Sequence, residues 1–357
     1  MMAHQQYPDG DFGVPVLFCP LETRRHPLAD EMERGFITWM DRLGFAADEH
    51  ERQTLIDIRG SVFCAGISPE APRERQQWFT NTLWWYWLLD NKSDAGPSSA
   101  LTARFVRAAG TVALALAAPC RPDRAPHEDP IVEGAAQLAE QCQQLSTPVT
   151  FTRWYQAQHG WIFGTLRQVA NIELGIMPDI DEYLSMRLLS SAALATASML
   201  EIVADKEVPA REFNHPRVRA LTEMVSMLVA LDNDILGYHM EHRTMTNAQN
   251  IINVFVHHQR LTPAQSLAEA ITLRDTIMLR FLRLSQAPYP GGGSTALADY
   301  VQALRRYPRA LIDFQHEAPR YRKHFPGGEL PVRRVSENTT APDQPLPYPF
   351  VAWWWTV

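Results

Sequence analysis

Cysteine is scarce and scattered in this chain. Cys19, Cys64, Cys120 and Cys142 form no C-x-x-C pair, which argues against a disulfide framework or a structural zinc site and fits a reducing compartment. Basic residues are outnumbered: 33 Lys and Arg against 40 Asp and Glu leave a formal net charge of −7. That gives nucleic acid no footing, since it favours a basic patch. Long apolar runs are missing as well. The most apolar window, 111–119, is too short to span a bilayer. The first ten residues hold no basic stretch followed by an apolar one, so no secretory signal is expected. A cytoplasmic protein without a membrane span is the expectation. Alternating strand-like runs bounded by turns are equally hard to find.

Helical periodicity fills the space those absences leave. Residues 27–44 open with Pro27, repeat Leu28, Met32, Phe36, Trp39, Met40 and Leu43 at three- and four-residue spacing, and stop at Gly44. Similar patterns cover 50–66, 72–92, 98–117, 132–145, 148–174, 179–204, 215–242, 246–259, 262–286 and 296–325. The fold class expected is all-α. Hydrophobic residues make up 46% of the chain, enough for a sizeable core. Pro and Gly gather at 119–130, 175–178 and 287–293, but none of these stretches is long enough to be an interdomain linker. One domain is expected over 1–325. A Pro-rich tail, 326–357, follows and ends in Trp353-Trp354-Trp355, which should dock on this chain or on a partner.

Chemistry concentrates in a few polar residues on these helices. Asn233 and Glu241 stand eight residues apart in Asn233-Asp234-Ile235-Leu236-Gly237-Tyr238-His239-Met240-Glu241. On a helix the positions i, i+4 and i+8 drift only about 40° per step, so both side chains leave one face. Two hard oxygens two turns apart suit a small divalent cation such as Mg²⁺. Arg187 lies 46 residues upstream, and a guanidinium beside a cation site suggests a phosphate-bearing ligand. A second acidic group, Asp90-Asn91-Lys92-Ser93-Asp94, ends a helix rich in Trp and Phe. Phe79, Leu83, Tyr86 and Trp87 lie on or beside the face that carries Asp90 and Asp94. An aromatic cavity would then end in a carboxylate rim. Two other signals are set aside. Asp179-Ile180-Asp181-Glu182 follows Pro178 and reads as a helix N-cap. Pro290-Gly291-Gly292-Gly293-Ser294 has no strand before it, so it lacks the setting of a phosphate loop, and Ser294 or Thr295 is the expected cap of the next helix.

Taken together, these residues resemble the bacterial class I terpene synthases. That family carries an aspartate-rich motif, matched here by Asp90-Asn91-x-x-Asp94. A diphosphate-sensing arginine about 46 residues before an N-D-x-x-S-x-x-x-E metal motif is matched by Arg187 and Asn233…Glu241, and a late Arg-Tyr pair by Arg320-Tyr321. His26-Pro27…Trp39…Leu43-Gly44 looks like the family's opening helix, and the resemblance runs over about 15–325. It implies an α-helical bundle around an apolar cavity that ionises a linear isoprenyl diphosphate and cyclises the carbocation. Farnesyl diphosphate is the first expectation and geranylgeranyl diphosphate the next.

The resemblance also implies roles. Asp90, Asn91, Asp94, Asn233, Gly237 and Glu241 occupy the metal positions, for three Mg²⁺ ions. Arg187, Arg320 and Tyr321 would grip the diphosphate, while Phe79, Leu83, Tyr86 and Trp87 would face the hydrocarbon. Ser190 and Ser191 fall where the family's helix break aims a backbone carbonyl at the allylic carbon. Asn91 stands for the usual second aspartate, Gly237 for a Ser or Thr, and Phe314 for a customary Trp. The rivals are a chain-elongating prenyltransferase of the same fold and, given Asn91 and Gly237, a non-catalytic isoprenoid-binding or scaffold protein. A homodimer is compatible with all three.

Overall fold

A computed structural model of the protein describes residues 15–94, 100–117, 126–244, 249–322, 332–337, 341–342 and 344–357, the side chains of 90–94 and 239–244 excepted. The chain is a helical bundle. In order it runs β1 (Val16–Phe18), α1 (Ala29–Leu43), α2 (Glu49–Ile56), α3 (Gly60–Ile67), α4 (Arg73–Asp94), α5 (Leu101–Ala117), α6 (Pro130–Leu145), α7 (Pro148–Leu174) and α8 (Ile180–Ser190). It continues through α9 (Ala193–Ala197), α10 (Leu200–Val203), α11 (Ala210–Phe213), α12 (Pro216–Thr244), α13 (Ile251–Gln259), α14 (Pro263–Gln286), α15 (Thr295–Glu317) and α16 (Pro319–Arg322). It ends with β2 (Arg333–Val335), α17 (Pro349–Ala352) and a 3₁₀ turn at Trp353–Trp355. Among the described residues no single helix is long and apolar enough to cross a membrane.

Local chemistry explains most boundaries. Met32, Phe36, Trp39 and Met40 bury one stripe of α1, and Gly44 closes it in the left-handed conformation at φ 70°. Thr147 and Thr150 form a capping box at the start of α7, with Pro148 at its first turn and Gly175 in left-handed geometry at its end. Asp179 caps α8 by accepting the Glu182 N–H, and Ser294 caps α15 by accepting that of Leu297, as their sequence contexts suggest.

Three expected helices are broken, the run 296–325 dividing into α15 and α16 at Ala318, whose backbone is extended. The run 50–66 divides into α2 and α3 at Arg59, whose φ of 55° reverses the helical path. Gly60 then lets α4 come close, since a Cβ there would sit 2.5 Å from the Trp87 ring. The run 179–204 divides into α8, α9 and α10, with a bend of 44° at 191–192.

Two features bind the chain's ends to the bundle. β1 and β2 pair in parallel, Val16 opposite Arg333. Beneath them lies a wholly buried ionic cluster. Arg274 on α14 donates through Nε to Asp232 Oδ1 at 2.6 Å, through Nη2 to Asp232 Oδ2 at 3.0 Å and through Nη1 to Asp275 at 2.8 Å. The same Nη1 reaches the Phe18 carbonyl, and Asp275 accepts the Phe18 N–H. The Phe18 N–H and carbonyl, which face away from β2, are thus both met inside the core, as burial demands.

The tryptophan tail docks on this chain. Trp354 is completely buried, and its indole N–H donates to Glu223 of α12 at 3.1 Å. Arg280 of α14 holds the Trp354 carbonyl at 2.9 Å, and the Phe350 N–H donates to Asp181 of α8 at 2.8 Å. The tail therefore crosses three helices, two of which carry the site described next.

Candidate active site

A cavity lies within the bundle, walled by α3, α4, α7, α8, α12, α15 and α16. Its apolar wall is aromatic. Trp87 stacks on Phe314 at 5.5 Å, Phe314 stacks on Phe63 at 5.5 Å, and Tyr321 meets Phe314 edge-on at 5.8 Å. Tyr86 packs against Trp161 at 4.6 Å. Its hydroxyl donates to Gln158 at 2.8 Å, and burial pushes its pKa well above the usual phenol value, so the ring stays neutral. Val229, Ala230, Asn233 and Gly237 line the same cavity from α12. Their spacing of three and four residues places them on one helix stripe.

The polar end is built around Arg187. Its Nε donates to Asp234 Oδ1 at 3.0 Å, and its Nη2 donates to the same oxygen at 2.6 Å and to Asn233 Oδ1 at 3.2 Å. Asp234 is 1% exposed and is held in turn by the Tyr183 hydroxyl and by the Ile251 N–H at 3.2 Å. Asn250, which caps α13, donates to the Asp234 carbonyl at 2.9 Å. Burial raises the Asp234 carboxyl above its ordinary range, while the Arg187 guanidinium and the Tyr183 hydroxyl oppose that shift. Arg320 and Tyr321 of α16 line the cavity as well, and the Arg320 N–H is fastened to the Asp57 carbonyl at 3.2 Å.

Beside this end lies the break in the 180–203 helical run. Ala192 takes φ 59°, and Ser190, Ser191 and Ala192 all face the cavity. The Tyr307 hydroxyl donates to the Ala193 carbonyl at 3.2 Å, holding the far side of the bend. Gly164 on α7 makes the bend possible. A Cβ at that position would lie 2.5 Å from Leu189 Cβ and 2.7 Å from the Ser190 nitrogen. Gly164→Ala is therefore expected to cost about 1–3 kcal/mol through overpacking. It should also cut turnover more than it cuts the melting temperature, because the strain falls on the bend. Turnover unchanged at a lowered midpoint would mean that the bend plays no part in the reaction.

The structure gathers Arg187, Asn233, Gly237, Arg320, Tyr321, Ser190, Ser191, Leu83, Tyr86 and Trp87 around one cavity. Phe79 is a correction. It is fully buried and does not line the cavity, because α4 is packed on all sides between residues 78 and 86. Trp161 of α7 also faces the cavity. Trp154 packs on Trp78 in the core, and Phe163 is 65% exposed. Asp90, Asn91 and Asp94 on α4 and Glu241 on α12 belong to helices that wall the cavity, but their side chains lie outside the described residues. Phe63, Gln168, Thr196 and Gln249 also line it, with no motif to announce them. Val229 and Ala230 had a signal, since the stripe through Asn233 and Gly237 continues back to them.

Residues 81–278 match the family model described as terpene synthase family 2, C-terminal metal binding. The chain is 33% identical to spiroviolene synthase from Streptomyces violens over 97% of both chains. It is 24% identical to a Streptomyces clavuligerus (+)-T-muurolol synthase, described as (2E,6E)-farnesyl diphosphate cyclizing, over 96% of this chain and 82% of that one. It is also 24% identical to a diterpene cyclase from a Streptomyces species over 96% of each. The crystal structure of a protein obtained by ancestral sequence reconstruction superposes with a TM-score of 0.82 at 34% identity, covering 96% of this chain and 98% of that one. An aromatic cavity with an arginine end, on an all-α bundle, is the mark of an isoprenoid synthase. The chain belongs to the terpene synthase family and is an enzyme of its class I branch.

Proposed function

We propose that this enzyme is a Mg²⁺-dependent cyclase of a linear isoprenyl diphosphate, yielding a cyclic terpene and diphosphate. The observation that carries this reading is that Arg187, Asn233 and Arg320 line the same cavity as the stacked rings of Trp87, Phe314 and Phe63. The donor set suits magnesium. Asn233 offers a hard amide oxygen at the cavity surface, and Gly237, one turn on, leaves a place that a retained water can fill. Asn233 and Glu241, with Asp90 and Asp94, would hold the ions, three in all, and Asn91 contributes a neutral neighbour. When bound, the ions would neutralise charge on the departing diphosphate.

The remaining work falls to the chain's own residues. Arg187 and Arg320 donate hydrogen bonds to diphosphate oxygens, and a guanidinium suits that task because it can engage two at once. Tyr321 adds its hydroxyl. The stacked rings of Trp87, Phe314 and Phe63 exclude water from the carbocation and present π-faces to it, worth about 0.5–2 kcal/mol each. Ser190 and Ser191, at the bend, would turn backbone carbonyls toward the allylic carbon.

Farnesyl diphosphate is the first choice of substrate and geranylgeranyl diphosphate the second, since relatives of both chain lengths are similar to this one. Incubation with Mg²⁺ and geranyl, farnesyl or geranylgeranyl diphosphate in turn, followed by extraction and gas chromatography, tests the reading and fixes the chain length. No hydrocarbon or alcohol from any of the three would end it. Gly237→Ser should hold or raise activity at low Mg²⁺, because its hydroxyl replaces a water. A loss at low Mg²⁺ would show that position 237 has another use.

A further inference from the structure

The oxygen assigned to a metal ion is already engaged by the arginine assigned to the substrate. Arg187 Nη2 carries two hydrogens. One goes to Asp234 Oδ1 at 2.6 Å and the other to Asn233 Oδ1 at 3.2 Å. Asp234 is locked from behind by Tyr183 and the Ile251 N–H, and it also holds Nε at 3.0 Å. Asp234 thus fixes where the guanidinium stands, while Asn233 occupies one N–H that points toward the cavity side of α12. A Mg²⁺ ion sits about 2.1 Å from its ligand oxygen. An ion on Asn233 Oδ1 would therefore place a dication close to the Arg187 guanidinium, and like charges at that range repel strongly. That repulsion, and not a shortage of lone pairs, sets the two uses of the oxygen against each other.

We infer that Asn233 shields Arg187 until a cation takes its oxygen, so that metal arrival and release of the sensing N–H toward diphosphate are one event. Asp234 is the positioning residue in this exchange, because its fork keeps the guanidinium in place when the Asn233 bond opens. The inference rests on the diphosphate-binding role given to Arg187 above and adds an order to it, metal before full sensing. It also gives the directly adjacent pair Asn233-Asp234 a division of labour, one side chain that lets go and one that does not.

Shielding has a consequence that a plain metal-ligand role lacks. Removing Asn233 should improve metal-free diphosphate binding, although it harms the metal-dependent reaction. The experiment measures inorganic diphosphate binding to the full-length enzyme by calorimetry, once in excess EDTA and once with Mg²⁺, for wild type, Asn233→Ala and Asn233→Ala/Arg187→Ala.

In EDTA, Asn233→Ala is expected to bind about three- to tenfold more tightly than wild type, the range of one ordinary hydrogen bond released. The double variant should lose that gain. With Mg²⁺ the wild type should bind more tightly than in EDTA, and Asn233→Ala should show much less of that increase. Should the alanine variant fold poorly, Asn233→Ser, whose hydroxyl is too short to reach the guanidinium, is expected to give the same gain. Equal or weaker metal-free binding by a folded Asn233 variant, beside a wild type that binds diphosphate with Mg²⁺, would overturn the shielding alone. A gain that survives in the double variant would overturn it too, because Arg187 would not be its source. A wild type that binds no diphosphate even with Mg²⁺ would remove the site's proposed role and this inference with it.

Discussion

Arg187→Ala should lower kcat/KM by about three orders of magnitude, roughly 4 kcal/mol of transition-state stabilisation. The size follows from what the guanidinium does. It meets charge that grows as the allylic C–O bond breaks, in a cavity whose aromatic walls keep the local dielectric low, where such a contact outweighs its value in water. Arg187→Lys keeps the charge but gives up the planar fork that now spans Asp234 and Asn233. It should retain some activity, about tenfold above the alanine variant. The alanine variant also strands Asp234, a buried carboxylate that loses its counter-charge. The assay therefore belongs well below the variant's melting temperature, with circular dichroism beside it. Activity of Arg187→Ala within tenfold of wild type, in a folded protein, would remove Arg187 from the reaction.

Arg274→Ala should produce the largest loss of stability of any single substitution considered, about 3–5 kcal/mol. The reason is asymmetry. Asp232 and Asp275 are buried beside Arg274, and burial outweighs the opposing guanidinium, leaving both carboxyls above their usual range, Asp275 at about 6. Without the guanidinium the core would hold two uncompensated acids and an unmet Phe18 carbonyl. Set against a typical total of about 5–15 kcal/mol, that is a large share. Urea unfolding monitored by tryptophan fluorescence checks it. Asp232→Ala/Arg274→Ala should cost less than the two single changes added together, since the partners share one interaction. Additive costs would show that the ion pair contributes nothing beyond packing.

How much of this could be read from residues alone varied with the range of the interaction. The helices were legible because their apolar spacing and their caps are local, as at Asp179 and Ser294. Arg187, Asn233 and Arg320 were legible because a motif fixes residue type and separation together. The bend at 191–192 was hidden from periodicity, since neither Pro nor Gly marks it and Ala192 takes the left-handed turn. Phe79 misled because it shares a stripe with Leu83. At that depth α4 is buried all round, and helical spacing cannot separate core from cavity. Asp234 stood in plain view inside the metal motif, yet its hold on Arg187 depends on Tyr183, 51 residues away. No spacing rule reaches that far.

The small parallel pair of β1 and β2 bears on how the protein folds. Phe18 and Val335 meet only when more than three hundred residues of chain have been looped between them. Closing such a loop costs about 5 kcal/mol in chain entropy by the logarithmic rule. Three-residue strands offer little to set against that cost, so the pairing is expected late in folding, after α12 and α14 have formed the cradle around Arg274. The amide of Phe18 should then be among the last to gain protection in a pulse-labelled refolding experiment. The same adjacency means that a circular permutant joining the end of β2 to the start of β1, and opened at a surface loop elsewhere, would replace a closure of some three hundred residues by one short crossover, which parallel strands require in place of a tight turn.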